Sequence, residues 1–305
     1  MKKVLIYLTF LISLSSCRDI IDLEFNENFP STLVVEGYVT QGEPLSKVSL
    51  RLTVPYNQAS TGAIPTDISY VLLRRKDTLG NINTDTLKEK VPGSGDYYAP
   101  ENYVPAVGDE YQLEIKRNNE IFRAESKINR PAVIDSIGYF YQKETLVDLK
   151  GYQIKFAARD LPGSGEYFLF EKYKNGVFYY EQISDKVNLW DDLLTDGLTF
   201  PPPILFGLNP SPNEDRASYN KNNDYPYTLG DTVLIRVLSL DEKAYRFYGD
   251  MLGQASSSSG GPLGPLFAAP QDNVRSNVYN VNKDGSPVVG LFSARGLNMA
   301  GIRIK

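Results

Sequence analysis

The 305-residue sequence contains no histidine and only one cysteine. The absence of histidine excludes Ser-His-Asp and Cys-His catalysis, zinc or haem sites with histidine ligands, and pH sensing through an imidazole. A single cysteine excludes an internal disulfide, and the position of this one, Cys17, indicates lipid attachment rather than thiolate chemistry. The chemistry that remains open is that of carboxylates, lysine or tyrosine, calcium held by oxygen ligands, or a function without catalysis.

An excess of positive charge is also missing. The formal net charge is −5, and loss of a leader containing Lys2 and Lys3 removes two positive charges and makes it −7. An acidic protein lacks the basic surface that nucleic acids and anionic lipid headgroups require, so we expect neither as a partner. Hydrophobic residues make up 42% of the chain and charged residues 23%, which indicates one large or two smaller globular domains.

The N-terminal residues have the pattern of a bacterial lipoprotein leader. A positively charged start is followed by Val4–Leu14, an apolar run that is too short to span a bilayer. The run ends in a lipobox, in which small residues fit the cleavage site and a thiol accepts a diacylglyceride: Leu14, Ser15, Ser16 and Cys17. We expect a signal peptide over residues 1–16 and a lipid that anchors the mature chain to a membrane. The alternative is an ordinary signal peptide with an unmodified thiol.

Residues 17–29 form an acidic tether. Acidic residues soon after a lipidated cysteine are similar to the surface-export signal of Bacteroidota lipoproteins. This similarity favours an outer-membrane protein that faces the cell surface. The alternatives are an ordinary solvated tether and a periplasmic orientation.

Short strands separated by Gly, Pro and Asn turns dominate the rest of the chain. Thr32–Val39 is rich in β-branched residues, and Val48–Val54 alternates apolar with polar residues, as half-buried strands do. We predict a mainly β protein with an N-terminal Ig-like β-sandwich over residues 30–130. A second β-rich domain with one packed helix is predicted over residues 131–305.

The helix is predicted near residues 240–253. Ser239 and Glu242 have the spacing of a capping box, with Ser239 as the N-cap. Apolar residues then recur with a helical period, and Gly253 is expected to end the helix.

One turn sequence occurs twice, as Val91–Tyr98 and as Leu161–Phe168. Each copy is a Pro-Gly-Ser-Gly turn that leads into an aromatic strand. Independent use of favourable turn residues explains the repetition better than two related domains do. Neither copy has the residue pattern of a phosphate-binding loop.

Aromatic residues are abundant, with 21 tyrosines and 14 phenylalanines. The stretch between residues 190 and 227 combines aromatic residues with Pro and Asn and lacks a regular pattern, which is typical of a functional loop. We predict that its aromatic side chains contact a partner or ligand: Trp190, Phe200, Phe206, Tyr219, Tyr225 and Tyr227. The alternative is that aromatic residues fill the sandwich cores.

Carboxylate chemistry finds little support in the sequence. Asn213–Asp215 and Asn222–Asp224 offer oxygen ligands without EF-hand spacing, so we expect solvated loops and no metal site. Asp191 and Asp192 are candidates for a glycosidase pair, but adjacent strand residues point to opposite faces. We therefore predict no catalytic residue, no cofactor and no enzyme activity.

Several separated motifs are shared with one known family. They are Cys17 with Ile21–Leu23, Leu33–Gly37, Ile134–Ile137, Tyr245–Tyr248, Leu266–Pro270, Asn273-Val274, Ser276–Val278 and Gly290–Ala294. On these motifs the chain resembles the Bacteroidota outer-membrane lipoproteins known as domain of unknown function 4249, although Gln271 stands where a second proline is expected. The resemblance covers essentially the whole mature chain and implies no enzyme activity.

The resemblance implies a setting similar to that of the lipoproteins that capture substrates beside TonB-dependent transporters. We therefore expect a lipid-anchored outer-membrane accessory or binding protein, with a TonB-dependent barrel as partner, that captures or gates cargo. The alternative is a structural or assembly component of an envelope complex without a small ligand. A hydrolase that works through carboxylates is the weakest of the three hypotheses.

Substitution of Cys17→Ser is expected to abolish lipid attachment, because the sulfur of Cys17 is the atom that accepts the diacylglyceride. Incorporation of labelled palmitate and partitioning into a detergent phase measure this directly. Ser16→Ala is the matched control and is expected to leave both unchanged, since alanine is also small. A Cys17→Ser chain that still carried the label would contradict the lipobox assignment.

Overall fold

The computed structural model describes residues 31–43, 46–54, 62–101, 103–143, 151–163, 165–178, 188–192, 196–198, 227–257, 274–283 and 288–305. The strands are β1 (Leu33–Thr40), β2 (Lys47–Leu52), β3 (Ile68–Lys76), β4 (Ile82–Thr86), β5 (Lys88–Glu89), β6 (Asp96–Tyr98), β7 (Glu110–Arg117), β8 (Glu120–Lys127), β9 (Val133–Gln142), β10 (Gly151–Arg159), β11 (Tyr167–Lys174), β12 (Val177–Phe178), β13 (Asn188–Asp191), β14 (Thr232–Leu240), β15 (Tyr279–Asn280), β16 (Val289–Arg295) and β17 (Leu297–Arg303). Helix α1 is Glu242–Ser257. Within these ranges no helix has the length and apolar character needed to cross a membrane. The predicted mainly β class is confirmed.

Two five-stranded sheets form the first β-sandwich. One has the strand order β16-β1-β2-β6-β5 and the other the order β15-β8-β7-β3-β4. Alternate residues of each strand point into the space between the sheets, where they form one hydrophobic core. Each large side chain that is fully buried in this core contributes about 1.5–3 kcal/mol, and the buried members include Val35, Leu50, Val71, Leu113 and Phe292.

The C-terminal part of the chain returns to this first sandwich. β15 pairs with β8, and β16 pairs in parallel with β1 from Val34↔Val289 to Thr40↔Arg295. The predicted division at residue 130 is therefore wrong for the tail, because residues 131–305 do not form one domain. The physical reason is that β16 supplies the hydrogen bonds that the free edge of β1 requires.

The second sandwich packs the β9-β10 hairpin against a five-stranded sheet. That sheet has the order β12-β11-β14-β17, and β13 pairs with the same edge of β11 as β12 does. The hairpin and the sheet enclose a second core that contains Ile154, Phe156, Phe168, Phe170 and Val233. Each of the two layers therefore buries the face that lines this core.

Strands β11 and β14 are buried on both faces. On β14, Val233, Ile235 and Val237 point into the second core, whereas Leu238 and Leu240 pack against helix α1 and β16. A strand covered on both sides has near-continuous apolar character, and the run Thr232–Leu240 fits this description. The outer face of the sheet is thus the surface on which the helix and the first sandwich meet.

Helix α1 begins two residues later than its predicted cap requires. The N-cap is Asp241, whose Oδ1 accepts the N–H of Ala244 at 2.8 Å. The prediction of Ser239 as N-cap is wrong, because Ser239 is still part of β14 and its hydroxyl donates to the carbonyl oxygen of Asn129 at 2.6 Å. The helix also continues beyond Gly253 to Ser257.

The two sandwiches meet at a hydrogen-bonded junction around Gly296. This residue separates β16, in the first sandwich, from β17, in the second. The Gly296 N–H donates to Ser239 Oγ at 2.8 Å, and the Ser239 N–H donates to the Gly296 carbonyl at 3.0 Å. The Asn129 side-chain amide donates to the Leu240 carbonyl at 2.9 Å. Three chain segments are thereby tied together at one point.

A side chain at residue 296 does not fit this junction. A Cβ there would lie 2.5 Å from the Asn129 carbonyl oxygen and 2.9 Å from both Pro131 Cδ and Ser239 Oγ. These contacts are far below van der Waals distance, so the segments would have to separate. The absence of a side chain at Gly296 is what allows the two sandwiches to approach.

Substitution of Gly296→Ala is expected to lower the free energy of unfolding by about 1–3 kcal/mol, because it overpacks the junction. Gly249→Ala is the matched control in helix α1, where an added Cβ meets nothing within 4 Å. It is expected to raise the free energy of unfolding by about 0.5–1 kcal/mol, since alanine favours a helix interior. Urea unfolding measures both, and equal effects of the two substitutions would contradict the packing argument.

Candidate functional site

Most of the residues predicted to carry function lie outside the described residues. These are the lipobox and lipidation residues and four of the aromatic residues: Leu14, Ser15, Ser16, Cys17, Phe200, Phe206, Tyr219 and Tyr225. Their roles stay predictions. The two other aromatic residues of the predicted contact set, Trp190 and Tyr227, are described.

Trp190 and Tyr227 both belong to the second core. Trp190 lies on β13, half-buried, with its ring edge-on to Phe170 at a centroid distance of 6.3 Å. Tyr227 is only 2% exposed, forms a β-bridge with Tyr152, and has the Lys174 ammonium 5.6 Å from its ring centroid. For these two residues, the alternative that aromatic side chains fill the core describes what the structure shows.

A tyrosine cluster at the open end of the second sandwich was not singled out from the sequence. The ring of Tyr152 lies edge-on to Tyr139 at 5.9 Å and to Tyr141 at 5.2 Å. The Tyr139 hydroxyl donates to the carbonyl oxygen of Lys305 at 2.8 Å, and Tyr141 is 49% exposed. The alternation of Tyr139 and Tyr141 within a predicted strand is the signal that places both rings on one face. The cluster offers rigid, amphipathic contact area to solvent.

A groove of about 520 Å³ lies between helix α1 and the outer face of the sheet that contains β3, β7 and β8. Both signs of charge line it, so the groove has no preference for an anion or a cation. The lining includes Arg74, Gln112, Glu125, Lys127, Asp241 and Lys243.

A group of acidic side chains lies at one end of the second sandwich. Asp160 directly follows β10, Asp192 directly follows β13, and Asp196 lies in the next described turn. Carboxylate oxygens of these three residues all lie within 4.8 Å of one another. Glu166, just before β11, joins the group, and its carbonyl oxygen accepts the Asp192 N–H at 3.2 Å. Pairing of β11 with β13 brings these strand ends together.

Backbone hydrogen bonds hold the loops that carry the acidic group. The Asp160 N–H donates to the carbonyl oxygen of Leu198 at 3.0 Å, and the Leu161 N–H donates to Asp160 Oδ1 at 2.9 Å. The Gly163 N–H donates to Asp196 Oδ1 at 2.8 Å. Each loop therefore contacts another loop of the group through its backbone.

The aspartates of this group are buried without full hydrogen bonding. Asp160 is 2% exposed and Asp192 is 5% exposed. Within the described part of the chain, the Oδ2 atom of each has no hydrogen-bond partner. Buried acceptors normally have partners, and a carboxylate that lacks one is costly to the fold.

The electrostatic environment raises the pKa of two carboxyls in this group, those of Glu166 and Asp160. Burial raises the pKa of Glu166 to about 7, and the adjacent Asp160 adds to that rise, against the opposing effect of Arg130. Burial also raises the pKa of Asp160, and repulsion by Asp192 adds to it. Arg130 contacts Glu166, with NH2 2.8 Å from Oε1.

Asp109 in the first sandwich shows how a structural buried aspartate is arranged. It is 1% exposed, and its Oδ2 lies 2.7 Å from Arg75 Nε. The same oxygen accepts the Ala106 N–H at 2.9 Å and the Tyr111 hydroxyl at 3.2 Å. The burial of Asp109 is thus compensated by a cation and two hydrogen-bond donors. Within the described residues no cation pairs with Asp160 or Asp192, and Asp192 Oδ2 has no hydrogen-bond partner.

The sequence analysis missed most of this site. Asp192 was considered only beside Asp191, and the structure confirms that the two point apart, because Asp191 Oδ2 accepts the Tyr245 hydroxyl at 2.8 Å. Asp160 and Asp196 carry no motif. The one local signal was the second copy of the Pro-Gly turn, which leads from Asp160 to Glu166.

A family model described as "Domain of unknown function (DUF4249)" matches residues 18–296. The chain belongs to this family. The match confirms the family resemblance and assigns no activity to it. None of the curated proteins matches the chain.

In this DUF4249 protein, Asp192→Asn is expected to raise the free energy of unfolding in a chelating buffer by about 1–3 kcal/mol. The substitution removes one of several like charges held within a few ångströms of one another. Asp109→Asn, the matched control at similar burial, is expected to lower the free energy of unfolding by about 3–5 kcal/mol, because it leaves Arg75 without its partner. Urea unfolding of both variants is the measurement, and destabilisation by Asp192→Asn would contradict the prediction.

Proposed function

We propose that this DUF4249 protein is a lipid-anchored binding protein of the outer membrane that captures or gates cargo beside a TonB-dependent transporter. The observation that carries the proposal is the lipobox that ends at Cys17. A diacylglyceride at that residue keeps the chain at a membrane surface without a spanning segment. Cell-surface orientation, suggested by the acidic residues after Cys17, is part of the proposal.

The spacing between the anchor and the fold supports this role. The first strand, β1, begins at Leu33. About 15 residues therefore separate Cys17 from β1 in the sequence, and a segment of that length reaches at most roughly 50 Å. Such a tether lets the sandwiches reach a neighbouring membrane protein while they remain attached to the bilayer.

The tyrosine cluster of Tyr139, Tyr141 and Tyr152 supports a binding function. Tyr141 combines high exposure with a ring held edge-on against Tyr152. A ring fixed in this way loses little conformational entropy when a partner covers it, and tyrosine is enriched at the centres of interfaces. The cluster is the described surface best suited to a sugar, a peptide or a protein partner.

The rigid junction at Gly296 and the groove with both signs of charge favour the second candidate function. This is a structural or assembly component of an envelope complex, without a small ligand. The two functions predict different partners in the membrane. The first predicts a TonB-dependent barrel, and the second predicts assembly factors or no partner.

Isolation of the lipidated chain from its native membrane in mild detergent, with partners identified by mass spectrometry, distinguishes the two functions. A TonB-dependent barrel in stoichiometric amount is the result that we expect. Recovery of the chain alone, or with assembly factors only, would overturn the transporter role and favour the structural one.

Tyr141→Ala is expected to reduce recovery of the partner by about tenfold or more, because truncation of an interface anchor costs about 2 kcal/mol. Tyr279→Ala is the matched control: this tyrosine lies on β15 of the first sandwich and has a similar exposure of 47%. It is expected to leave recovery unchanged. Equal recovery with both variants would show that the tyrosine cluster is not the contact surface.

A further inference from the structure

We propose that Asp160, Asp192 and Asp196 form a calcium-binding site at the end of the second sandwich. The first observation is geometric: carboxylate oxygens of all three lie within 4.8 Å of one another. Two oxygens on opposite sides of Ca²⁺, each about 2.4 Å from the ion, are also about 4.8 Å apart. Three oxygens that far apart would each lie about 2.8 Å from a central ion, so side-chain shifts of a few tenths of an ångström would bring all three carboxylates to Ca²⁺.

The second observation is independent of the clustering. Asp160 and Asp192 are more than nine-tenths buried. Asp192 Oδ2 lacks a hydrogen-bond partner within the described residues, whereas the Asp160 side chain shares a hydrogen bond with Glu166. Burial of a carboxylate oxygen without a partner is strongly unfavourable unless a cation satisfies it. The same protein satisfies Asp109 with Arg75 and two hydrogen-bond donors, so buried aspartates are not left unpartnered as a rule.

The chemistry of the ligands selects a hard divalent cation. The three side chains offer only oxygen atoms, and the chain has no histidine to supply an imidazole. Zinc and copper sites use nitrogen or sulfur ligands, whereas calcium and magnesium sites use oxygen. Calcium fits better than magnesium, because Ca²⁺ accepts irregular sets of carboxylate, carbonyl and water ligands and Mg²⁺ requires a near-ideal octahedron.

The groups around the site leave the aspartates available to the ion. Arg130 binds Glu166, with Nε and NH2 at 2.9 and 2.8 Å from Oε1, and its NH2 also donates to the Pro162 carbonyl at 3.0 Å. Glu166 is thereby held by the arginine, and it also shares a hydrogen bond with the Asp160 side chain. Among the described residues no lysine or arginine forms an ion pair with Asp160, Asp192 or Asp196, so a divalent cation would reduce the repulsion between the ionised carboxylates.

The two copies of the Pro-Gly turn differ in the charged residues that surround them. In the first copy, Asp96 lies 2.9 Å from Arg51 and 3.7 Å from Lys47, so its charge is neutralised within the first sandwich. In the second copy, the turn runs from Asp160 to Glu166 and leads into the acidic group. Each copy thus carries an acidic residue paired with an arginine, Asp96 with Arg51 and Glu166 with Arg130, and the second copy differs in the three aspartates that lie beside it.

Calcium bound here connects three separate segments of the second sandwich: the end of β10, the end of β13 and the turn at residues 196–198. The neighbouring Arg130 lies in the segment that links the two sandwiches. We therefore infer that the ion stabilises the second sandwich next to its junction with the first. This inference does not depend on the proposed transporter role.

Thermal unfolding of the purified chain, stripped of metal with a chelator and then titrated with CaCl₂, tests the site. Saturating Ca²⁺ is expected to raise Tm by about 4 °C or more, as binding to the folded state alone requires. Asp192→Asn is expected to remove this response. Because that variant is expected to be at least as stable as the unsubstituted chain, loss of the response will not reflect failure to fold.

Asp191→Asn is the matched control, since it alters the adjacent carboxylate that faces Tyr245 instead of the site. It is expected to keep the full response to calcium. A second readout is Tb³⁺ luminescence excited through Trp190, the only tryptophan in the chain, which lies two residues before Asp192. Competition by CaCl₂ is expected to quench the emission.

Three results would overturn the proposal. The first is no change in Tm at millimolar CaCl₂ together with no sensitised Tb³⁺ emission. The second is an equal response in Asp192→Asn and in the unsubstituted chain, which would move binding to another part of the protein. The third is an equal response to MgCl₂ and to CaCl₂, which would contradict the assignment of calcium.

Discussion

The structure depends on the close approach of three chain segments at Gly296. There the strand that completes the first sandwich continues directly into the strand that borders the second, and Ser239 exchanges hydrogen bonds with both Gly296 and Asn129. Asp241 extends this junction, because one carboxylate oxygen caps helix α1 and the other accepts the hydroxyl of Ser126 in the first sandwich. One set of contacts therefore joins helix α1, the linking segment and both sandwiches. We expect the two sandwiches to keep a fixed orientation relative to each other.

The faces of the sheets explain why the junction is stable. Leu238 and Leu240 of the second sandwich pack with Leu291 of the first, and the Arg295 guanidinium lies 4.1 Å from the ring centroid of Tyr38. Apolar burial and a cation–π contact therefore add to the hydrogen bonds of the junction. The acidic group at the end of β10 contrasts with this, because Asp192 Oδ2 is buried there without a hydrogen-bond partner among the described residues. Arrangements that oppose stability in this way are characteristic of sites with a function.

The sequence predicts what is local and misses what depends on distant pairing. Alternation identified Val48–Val54 as a half-buried strand, which matches β2, and helical periodicity identified α1. The hydroxyl of Ser239, a good cap by local rules, instead bonds to Asn129, 110 residues away. The return of β16 to β1 has no local signal, since a parallel pair can join strands at opposite ends of a chain. The proximity of Asp160 to Asp192 was missed for the same reason, because only strand pairing brings these two residues together.

The central claim is that the two sandwiches form one cooperative unit joined at Gly296. Native-state hydrogen exchange in increasing urea, read by mass spectrometry, tests it most directly. Peptides that cover β16 in the first sandwich and β14 in the second are expected to exchange with the same free energy of opening. Exchange of β14 at a clearly lower free energy, while β16 stays protected, would show that the second sandwich opens independently and would contradict the account.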